Sequence, residues 1–265
     1  MKKELRDKSR VIRNIVILAI FLLAFIIYYT IMAMLGPGKK REALNAEYGL
    51  VQEQQNDMNS FIREDSVYIS LLKQKSFLQS RMTMAETDSI YLTVNLSDSI
   101  INLEINGVSL HTARISKFGL SKIISEGNEF ILASMIAQPF NILKNYSTIK
   151  KEPLMIRMAP RDTSEYQPDV IPDTADTEPV FFIMETNKGI RFIIYQEEKI
   201  NPGDGIRLFM FDLLHRIRNI LQEMKSVMLF RVPEYHPYIK IRINRGDAKI
   251  IFRAMPENGQ IGVFI

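Results

Sequence analysis

The chain of 265 residues contains no cysteine, no tryptophan and only three histidines. Without cysteine it can form no disulfide, no thiolate nucleophile, no thiolate metal site and no lipoprotein anchor. His111, His215 and His236 lie far apart in the sequence, so a zinc site is disfavoured and satisfied or exposed imidazoles are expected. The sequence also lacks a Gly-x-Ser-x-Gly elbow and a phosphate-binding loop, so it offers no catalytic set and no cofactor.

Positive charge is also scarce outside one short stretch. The net charge is +4, but the first fourteen residues carry six basic and two acidic side chains, and the remainder carries 28 of each. The basic excess is therefore local, and nothing in the rest of the chain indicates nucleic-acid binding.

One long uncharged run is present, from Ile15 to Leu35. Its 21 residues would extend roughly 31 Å as a helix, which matches the hydrocarbon thickness of a bilayer. Apolar residues such as Leu22 cover every face of the helical wheel, whereas a buried core helix would keep a polar stripe. The run predicts one membrane-spanning helix, with an unusually apolar buried helix as the alternative.

The basic residues before this run set its orientation. The positive-inside bias places residues 1–14 in the cytoplasm and all that follows Leu35 on the other side, which in a bacterium is the periplasm. A cleaved signal peptide would have a shorter apolar region and a small-residue cleavage site. We therefore expect an uncleaved anchor in the inner membrane.

Residues 36–88 predict a helical stalk. Gly36-Pro37-Gly38 should end the spanning helix, and the composition that follows favours a new helix with a break between about Asn56 and Ser66. Apolar residues recur there at heptad-like spacings, although the seam is imperfect. The stalk could pair with another copy or with a partner helix, or it could be an amphipathic helix folded against its own domain.

Residues 89–265 predict a mostly β domain of α+β class. Alternating segments at Tyr91–Leu96 and Ile101–Ile105 lead through Asn106-Gly107 to a third strand, Val108–Ile115. The later residues predict a short helix at Ser121–Ser125 or Phe130–Ile136, strands at Thr148–Met158, Val180–Glu185 and Ile190–Gln196, an amphipathic helix at Arg207–Met228, a strand at Tyr238–Ile243, a helix at Asp247–Ala254 and a strand at Ile261–Ile265. The acidic, proline-rich segment 160–179 predicts an exposed insertion rather than a calcium site.

Two segments resemble the L,D-transpeptidase catalytic domain of bacterial cell-wall crosslinking. Residues 90–107 (IYLTVNLSDSIINLEING) are similar to that family's first hairpin, and residues 239–265 (IKIRINRGDAKIIFRAMPENGQIGVFI) to its closing strand, helix and strand. The resemblance covers about 45 residues and implies a β-sandwich in the periplasm, with peptidoglycan as a candidate ligand.

The departures from that family concern its catalytic site. Lys240 stands where the family has its nucleophilic cysteine, Tyr238 belongs to the pair that replaces Ser-His, and only Arg242, Asp247 and Ala248 keep family identities. The thioester mechanism needs a thiolate, and a lysine nucleophile would form an amide that does not turn over. The positions Lys240, Arg242, Tyr238 and His236 therefore indicate a degenerate site.

These observations favour a non-catalytic, anchored protein that serves as a scaffold or binding module in an envelope complex. The tail, single span and stalk also resemble the small bitopic subunits of envelope-spanning assemblies such as a type VI secretion membrane complex. An enzyme with an unrecognised nucleophile is a further alternative. A sensor is disfavoured, because fourteen cytoplasmic residues leave no room for an output domain.

Overall fold

A computed structural model of the chain describes residues 2–49, 66–151, 178–198 and 202–265. Within these ranges the elements are, in order, α1 (Lys2–Tyr48), α2 (Ser66–Ala85), β1 (Tyr91–Asn95), β2 (Ile100–Ile105), β3 (Val108–Leu120), α3 (Lys122–Ser125), α4 (Glu129–Ile136), β4 (Phe140–Ser147), β5 (Phe181–Thr186), β6 (Arg191–Gln196), α5 (Pro202–Met228), β7 (Tyr238–Ile243), α6 (Arg245–Ala254) and β8 (Gln260–Phe264). The predicted α+β class is confirmed.

The chain divides into two compact units. One comprises Met1–Leu44 and Leu213–Tyr235, and the other comprises Asn45–Asp212 and His236–Ile265. The first contains most of α1 and the second half of α5. The second contains the strands, the other helices, the first half of α5 and the last turn of α1.

The strands of the second unit form a closed barrel in the order β1-β2-β3-β7-β6-β5-β4-β8. Neighbours are antiparallel except for β1 with β8 and β6 with β7, which are parallel. The predicted β-sandwich is therefore wrong, although its first hairpin is present.

Two strands that are shared between sheets close the barrel. β3 pairs with β2 through its first half and with β7 through its second, with a register shift between Ile115 and Lys117. β4 pairs with β8 and then with β5, with a shift between Ile142 and Lys144. Such bulges bend a strand and increase its twist, so two sheets that would face each other in a sandwich become one continuous wall.

α1 does not end where the sequence predicts. The helix continues through Pro37 to Tyr48, although an internal proline removes one backbone hydrogen bond and costs about 3 kcal/mol. The first unit is closely packed at this point: a Cβ atom built on Gly36 would lie only 3.2 Å from the carbonyl oxygen of Pro233. Glycine thus permits a close approach that a side chain would prevent.

α2 packs on the barrel rather than standing away from it. Its buried residues Ser76, Ser80 and Met84 recur every fourth position, so they form one face of the helix. Met84 lies directly against Gly262 of β8, where an added Cβ would come within 2.5 Å of the methionine methyl group. For α2, the helix folded against its own domain is therefore the alternative observed, and pairing through residues 50–65 lies outside the described residues.

The core fills the barrel with aromatic and branched side chains. Phe140 meets Phe192 edge to face at 5.8 Å between ring centroids, and Phe182 contacts Phe252 of α6 at 5.0 Å. The largest fully buried side chains also include Tyr91, Leu92, Ile101, Ile124, Met135, Ile136, Ile142 and Ile183.

Two expectations fall partly outside the described residues. The predicted strand Thr148–Met158 is described only to residue 151, and Thr148 to Lys151 are not in a strand; β4 ends just before them, at Ser147. Of the expected insertion 160–179, only Glu178 and Pro179 are described. One short helix was expected at either of two places, and the structure has a helix at each, α3 and α4.

Candidate functional site

The outer surface of α1 is the first candidate site. The predicted span residues Ile15, Leu22 and Leu35 are 59%, 62% and 50% exposed, so no described part of the protein covers them. No residue of the most apolar 18-residue window is buried. By length and composition, α1 can cross a membrane.

Three of the four residues of the predicted degenerate site, Tyr238, Lys240 and Arg242, lie in β7, and His236 lies two residues before this strand. Its residues alternate: Ile239, Ile241 and Ile243 are buried in the barrel, whereas Tyr238, Lys240 and Arg242 are half-exposed. Successive side chains of a strand point to opposite faces. The three polar positions therefore lie on the outside of the barrel wall.

Neighbouring strands extend this surface in cross-strand rows. Tyr238 is opposite Arg191, Lys240 is opposite Ile193, and Arg242 is opposite Tyr195. We call these outward residues of β6 and β7 the cationic–aromatic face: Arg191, Ile193, Tyr195, Tyr238, Lys240 and Arg242. Beyond Tyr195, Phe181 of β5 packs edge to face against Phe211 of α5 at 5.3 Å.

The cations of this face are held over aromatic rings. Lys240 Nζ lies 4.7 Å from the ring centroid of Tyr238, and the Arg242 guanidinium lies 5.0 Å from that of Tyr195. Such contacts contribute about 0.5–1 kcal/mol at exposed sites. They place both cations over ring faces that lie outside the barrel wall.

The same cations are available to an anion. Arg191 forms an ion pair with Glu185 at 2.8 Å, but within the described ranges neither Lys240 nor Arg242 has a carboxylate partner. Arg242 Nε is buried without a hydrogen-bond partner there. A guanidinium without a carboxylate partner suits a carboxylate or a phosphate.

His236 does not join Lys240. Its Nδ1 atom is 3.3 Å from the carbonyl oxygen of Gly189, to which it donates in the tautomer protonated at that nitrogen. Four residues of extended chain separate it from Lys240, which is about 13 Å. The predicted positions thus share a strand and a face, but they do not converge as an acid, a base and a nucleophile would.

Sequence reasoning missed a histidine–carboxylate pair. His111 Nε2 of β3 lies 2.9 Å from Asp247 Oδ1 in the first turn of α6, and both side chains are 27% exposed. The two residues are 136 positions apart, so no local signal could have joined them. A carboxylate that orients an imidazole can support general base catalysis, but within the described residues no nucleophilic side chain bonds the other ring nitrogen.

A second missed residue is Lys188, in the turn between β5 and β6. Its Nζ donates to the carbonyl oxygens of Met135 at 2.5 Å and Gln138 at 2.7 Å, just where α4 ends. It also lies 4.4 Å from the Phe140 ring and 5.9 Å from the Tyr48 ring. Burial lowers its pKa to about 8, yet every neighbour here has a structural role.

A third polar cluster lies between α2 and the barrel. The Glu104 carboxylate is fully buried and accepts from Arg81 Nε at 2.8 Å and from the Thr93 hydroxyl at 2.9 Å. Its hydrogen bond raises the pKa of Arg81, and burial raises the pKa of Tyr91, whose hydroxyl accepts the Gly107 amide. This cluster fastens α2 to the barrel wall.

No group of metal-ligating side chains occurs among the residues that the structure describes. No protein-family model, curated protein or solved structure gives a significant match to the chain. The likeness to L,D-transpeptidases therefore stays a prediction. The surfaces of the described residues are the observations that bear on the function.

Proposed function

We propose that the chain is a non-catalytic, single-pass protein of the bacterial inner membrane. Its N-terminal tail lies in the cytoplasm, and its barrel serves as a scaffold or binding module of an envelope assembly in the periplasm. The observation that carries this proposal is the uncovered apolar surface of α1, which suits a lipid environment. Six basic residues before the span favour this orientation.

The binding surface of the barrel is the cationic–aromatic face. Lys240 and Arg242 present positive charge beside tyrosine rings, which suits carboxylates such as those of peptidoglycan stem peptides. Because both cations lie outside the core, they serve contact rather than folding. The ligand class of this face is therefore anionic.

Two features support a non-catalytic role. The chain has no cysteine, and its outward Lys240 has no base beside it in the described structure. A Lys240→Cys variant should accordingly remain inactive on tetrapeptide stems, and its single thiol should keep a pKa near the usual value of about 8.5 rather than that of an imidazole-paired thiolate. Alkylation as fast at pH 6 as at pH 8, or measurable crosslinking, would contradict the proposal.

Binding is tested with the purified full chain in detergent micelles, cosedimented with peptidoglycan sacculi. We expect the wild type to sediment with sacculi, and the double variant Lys240→Ala/Arg242→Ala to lose most of this binding. The matched control is Arg114→Ala/Lys122→Ala, which removes an exposed arginine and lysine of β3 and α3. Binding should weaken with salt, because exposed charge interactions are screened.

Protein partners are tested in cells by photo-crosslinking from position 240. Crosslinks to an envelope protein without sedimentation would favour a structural subunit of a secretion complex, and crosslinks between copies would show a homo-oligomer. Absence of both wall and protein contact would overturn the scaffold proposal.

A second candidate, a cell-wall-modifying enzyme, is favoured by one observation, the His111–Asp247 pair. It requires turnover of stem peptides by the wild-type chain, and loss of that turnover in His111→Asn. Such a result would replace the non-catalytic proposal.

A further inference from the structure

The end of α5 exposes three large apolar side chains in succession. Met228, Leu229 and Phe230 are 65%, 58% and 81% exposed. We call these three residues the apolar tip. The preceding residue, Val227, is fully buried, whereas Leu214, Ile217 and Leu221 earlier in α5 are 58%, 43% and 58% exposed. The tip thus ends a helix that already exposes apolar side chains.

The backbone of the tip forms a helix stop that usually contains glycine. The amide of Arg231 donates to the Ser226 carbonyl, and that of Phe230 donates to Val227, which is the Schellman pattern. Phe230 occupies the left-handed position with φ of 56°. A phenylalanine there is sterically disfavoured, and its ring is 81% exposed, so the exposed ring is held at a local cost in conformational energy.

Within the first unit, the tip lies against α1. The Tyr28 ring is 6.0 Å from the Phe230 ring, and the Tyr28 hydroxyl is 3.5 Å from the Val227 carbonyl oxygen. One turn earlier in α5, the Glu223 carboxylate accepts from the Tyr29 hydroxyl at 2.9 Å. The tip is therefore placed at the level of Tyr28.

Tyr28 belongs to the apolar run of α1. It precedes Leu35, the last residue of that run, by seven residues, which is about 10 Å along the helix axis. After the tip the chain returns along α1, because Pro233 lies beside Gly36 just beyond the run. The tip is thus level with the interior of the apolar run of α1, which we call the apolar zone. The chain that follows the tip leaves this zone by Pro233.

We propose that the apolar tip inserts into the bilayer leaflet opposite the basic N-terminal tail, as a second membrane contact beside the spanning helix. The occupant of this surface is lipid, because the tip is continuous with the uncovered apolar surface of α1. The inference rests on the proposed membrane span of α1. It goes further, since it makes residues 213–235 a part of the anchor.

The charges around the tip fit this position. Lys225 and Arg231 flank it, and long basic side chains can reach lipid phosphates while their stems stay in the apolar zone. The Tyr29 hydroxyl donates one hydrogen bond to the Glu223 carboxylate, which lowers the cost of carrying that group at this depth. An apolar tip between two basic residues is the pattern expected of a segment that reaches into the apolar zone while its charges extend toward the lipid phosphates.

The absence of tryptophan allows a direct test. A Phe230→Trp substitution in the full chain supplies the only indole, and Leu229→Trp supplies a second position in case the first disturbs the turn. Each variant is reconstituted into phosphatidylethanolamine and phosphatidylglycerol vesicles that contain acyl-chain-brominated lipid, and the quenching of its emission is measured. Phe21→Trp in α1 and Phe118→Trp, exposed on β3, are the membrane and aqueous controls.

We expect the emission of tryptophan at positions 230 and 229 to be quenched at least half as strongly as at position 21, and that at position 118 to be quenched little. If tryptophan at position 21 is quenched while tryptophan at 229 and 230 is quenched no more than at 118, the tip proposal is overturned and the membrane span stands. Blue-shifted but unquenched emission at both tip positions would show protein contact and would also overturn it. If 21 itself is unquenched, the membrane span fails, and the tip proposal fails with it.

Discussion

Replacing Lys188 with methionine is expected to remove a large part of the pH dependence of barrel stability. The ammonium of Lys188 is bonded to two carbonyl oxygens at the end of α4 and lies over the Phe140 and Tyr48 rings. These contacts favour its burial, but removal from water disfavours its charge. The second effect dominates its pKa, which falls from 10.5 to about 8 although the nearby Glu47 opposes the change.

The sign and size of the effect follow from this pKa difference. Between about pH 8 and 10.5 the unfolded chain holds the Lys188 proton and the folded chain does not, so the free energy of unfolding rises with pH in that window. At about 1.36 kcal/mol per pH unit, the full difference is roughly 3 kcal/mol, of which about 2 kcal/mol is gained between pH 7 and pH 9.5. Below pH 7 the contribution is nearly constant.

The assay is denaturant unfolding of the detergent-solubilised full chain, followed by circular dichroism at several pH values. The wild type should gain about 2 kcal/mol over this range relative to Lys188→Met, and the exposed-lysine control Lys144→Met should behave like the wild type. Burial also lowers the pKa of Lys151, but Lys151 is present in all three chains and cancels in the difference. Equal slopes in wild type and Lys188→Met would refute the argument.

Other substitutions test the packing around the barrel. Arg81→Ala leaves the fully buried Glu104 without its cation and should cost about 3 kcal/mol of unfolding free energy, with partial recovery when Glu104→Gln is added; no recovery would argue against a charge effect. Gly262→Ala drives a Cβ against the Met84 methyl and should cost about 1–3 kcal/mol, but less in a Met84→Ala background. Asn244→Ala removes the side-chain oxygen that caps α6 and should lower stability by about 1 kcal/mol, measured as a shift of the denaturation midpoint.

Local structure was predictable wherever the side chains follow a short period. The Asn106-Gly107 turn has both residues at positive φ, 49° and 81°, as a two-residue hairpin requires. The turn at Asn187-Lys188-Gly189 likewise has Gly189 at φ 72°. These features depend on neighbours in the sequence, so the sequence contains their whole cause.

Closure of the barrel was not predictable in this way. It depends on register shifts in β3 and β4 and on parallel pairing of β1 with β8, whose residues are about 170 positions apart. Continuation of α1 through Pro37 was missed because local propensity ends a helix at proline, whereas the chain packed beside this point, at Pro233, is about 200 positions away. Local propensity takes no account of such packing, so it gave the wrong boundary.

In the candidate site, too, the features with a local cause were predictable and those that depend on distant residues were not. That Lys240 and Arg242 point out of the barrel follows from the alternation of β7 itself, Ile-Lys-Ile-Arg-Ile, once the isoleucines are taken as core. The partners Tyr195, Asp247 and Met135, by contrast, come from elements distant in sequence. The sequence therefore indicates the direction of a side chain better than it indicates the residues that the side chain contacts.

Because of this alternation, the residues of β7 that stabilise the barrel differ from those proposed to bind a ligand. The isoleucines of β7 are at most 1% exposed and belong to the core, whereas Lys240 and Arg242 contribute only half-exposed contacts over tyrosine rings. Removing both cations should change the free energy of unfolding by no more than about 1–2 kcal/mol, because such cation–π contacts are weak at the surface. A larger loss of binding than of stability would therefore reflect a lost contact with a ligand, and the outer face of β7 can be altered without dismantling the barrel that carries it.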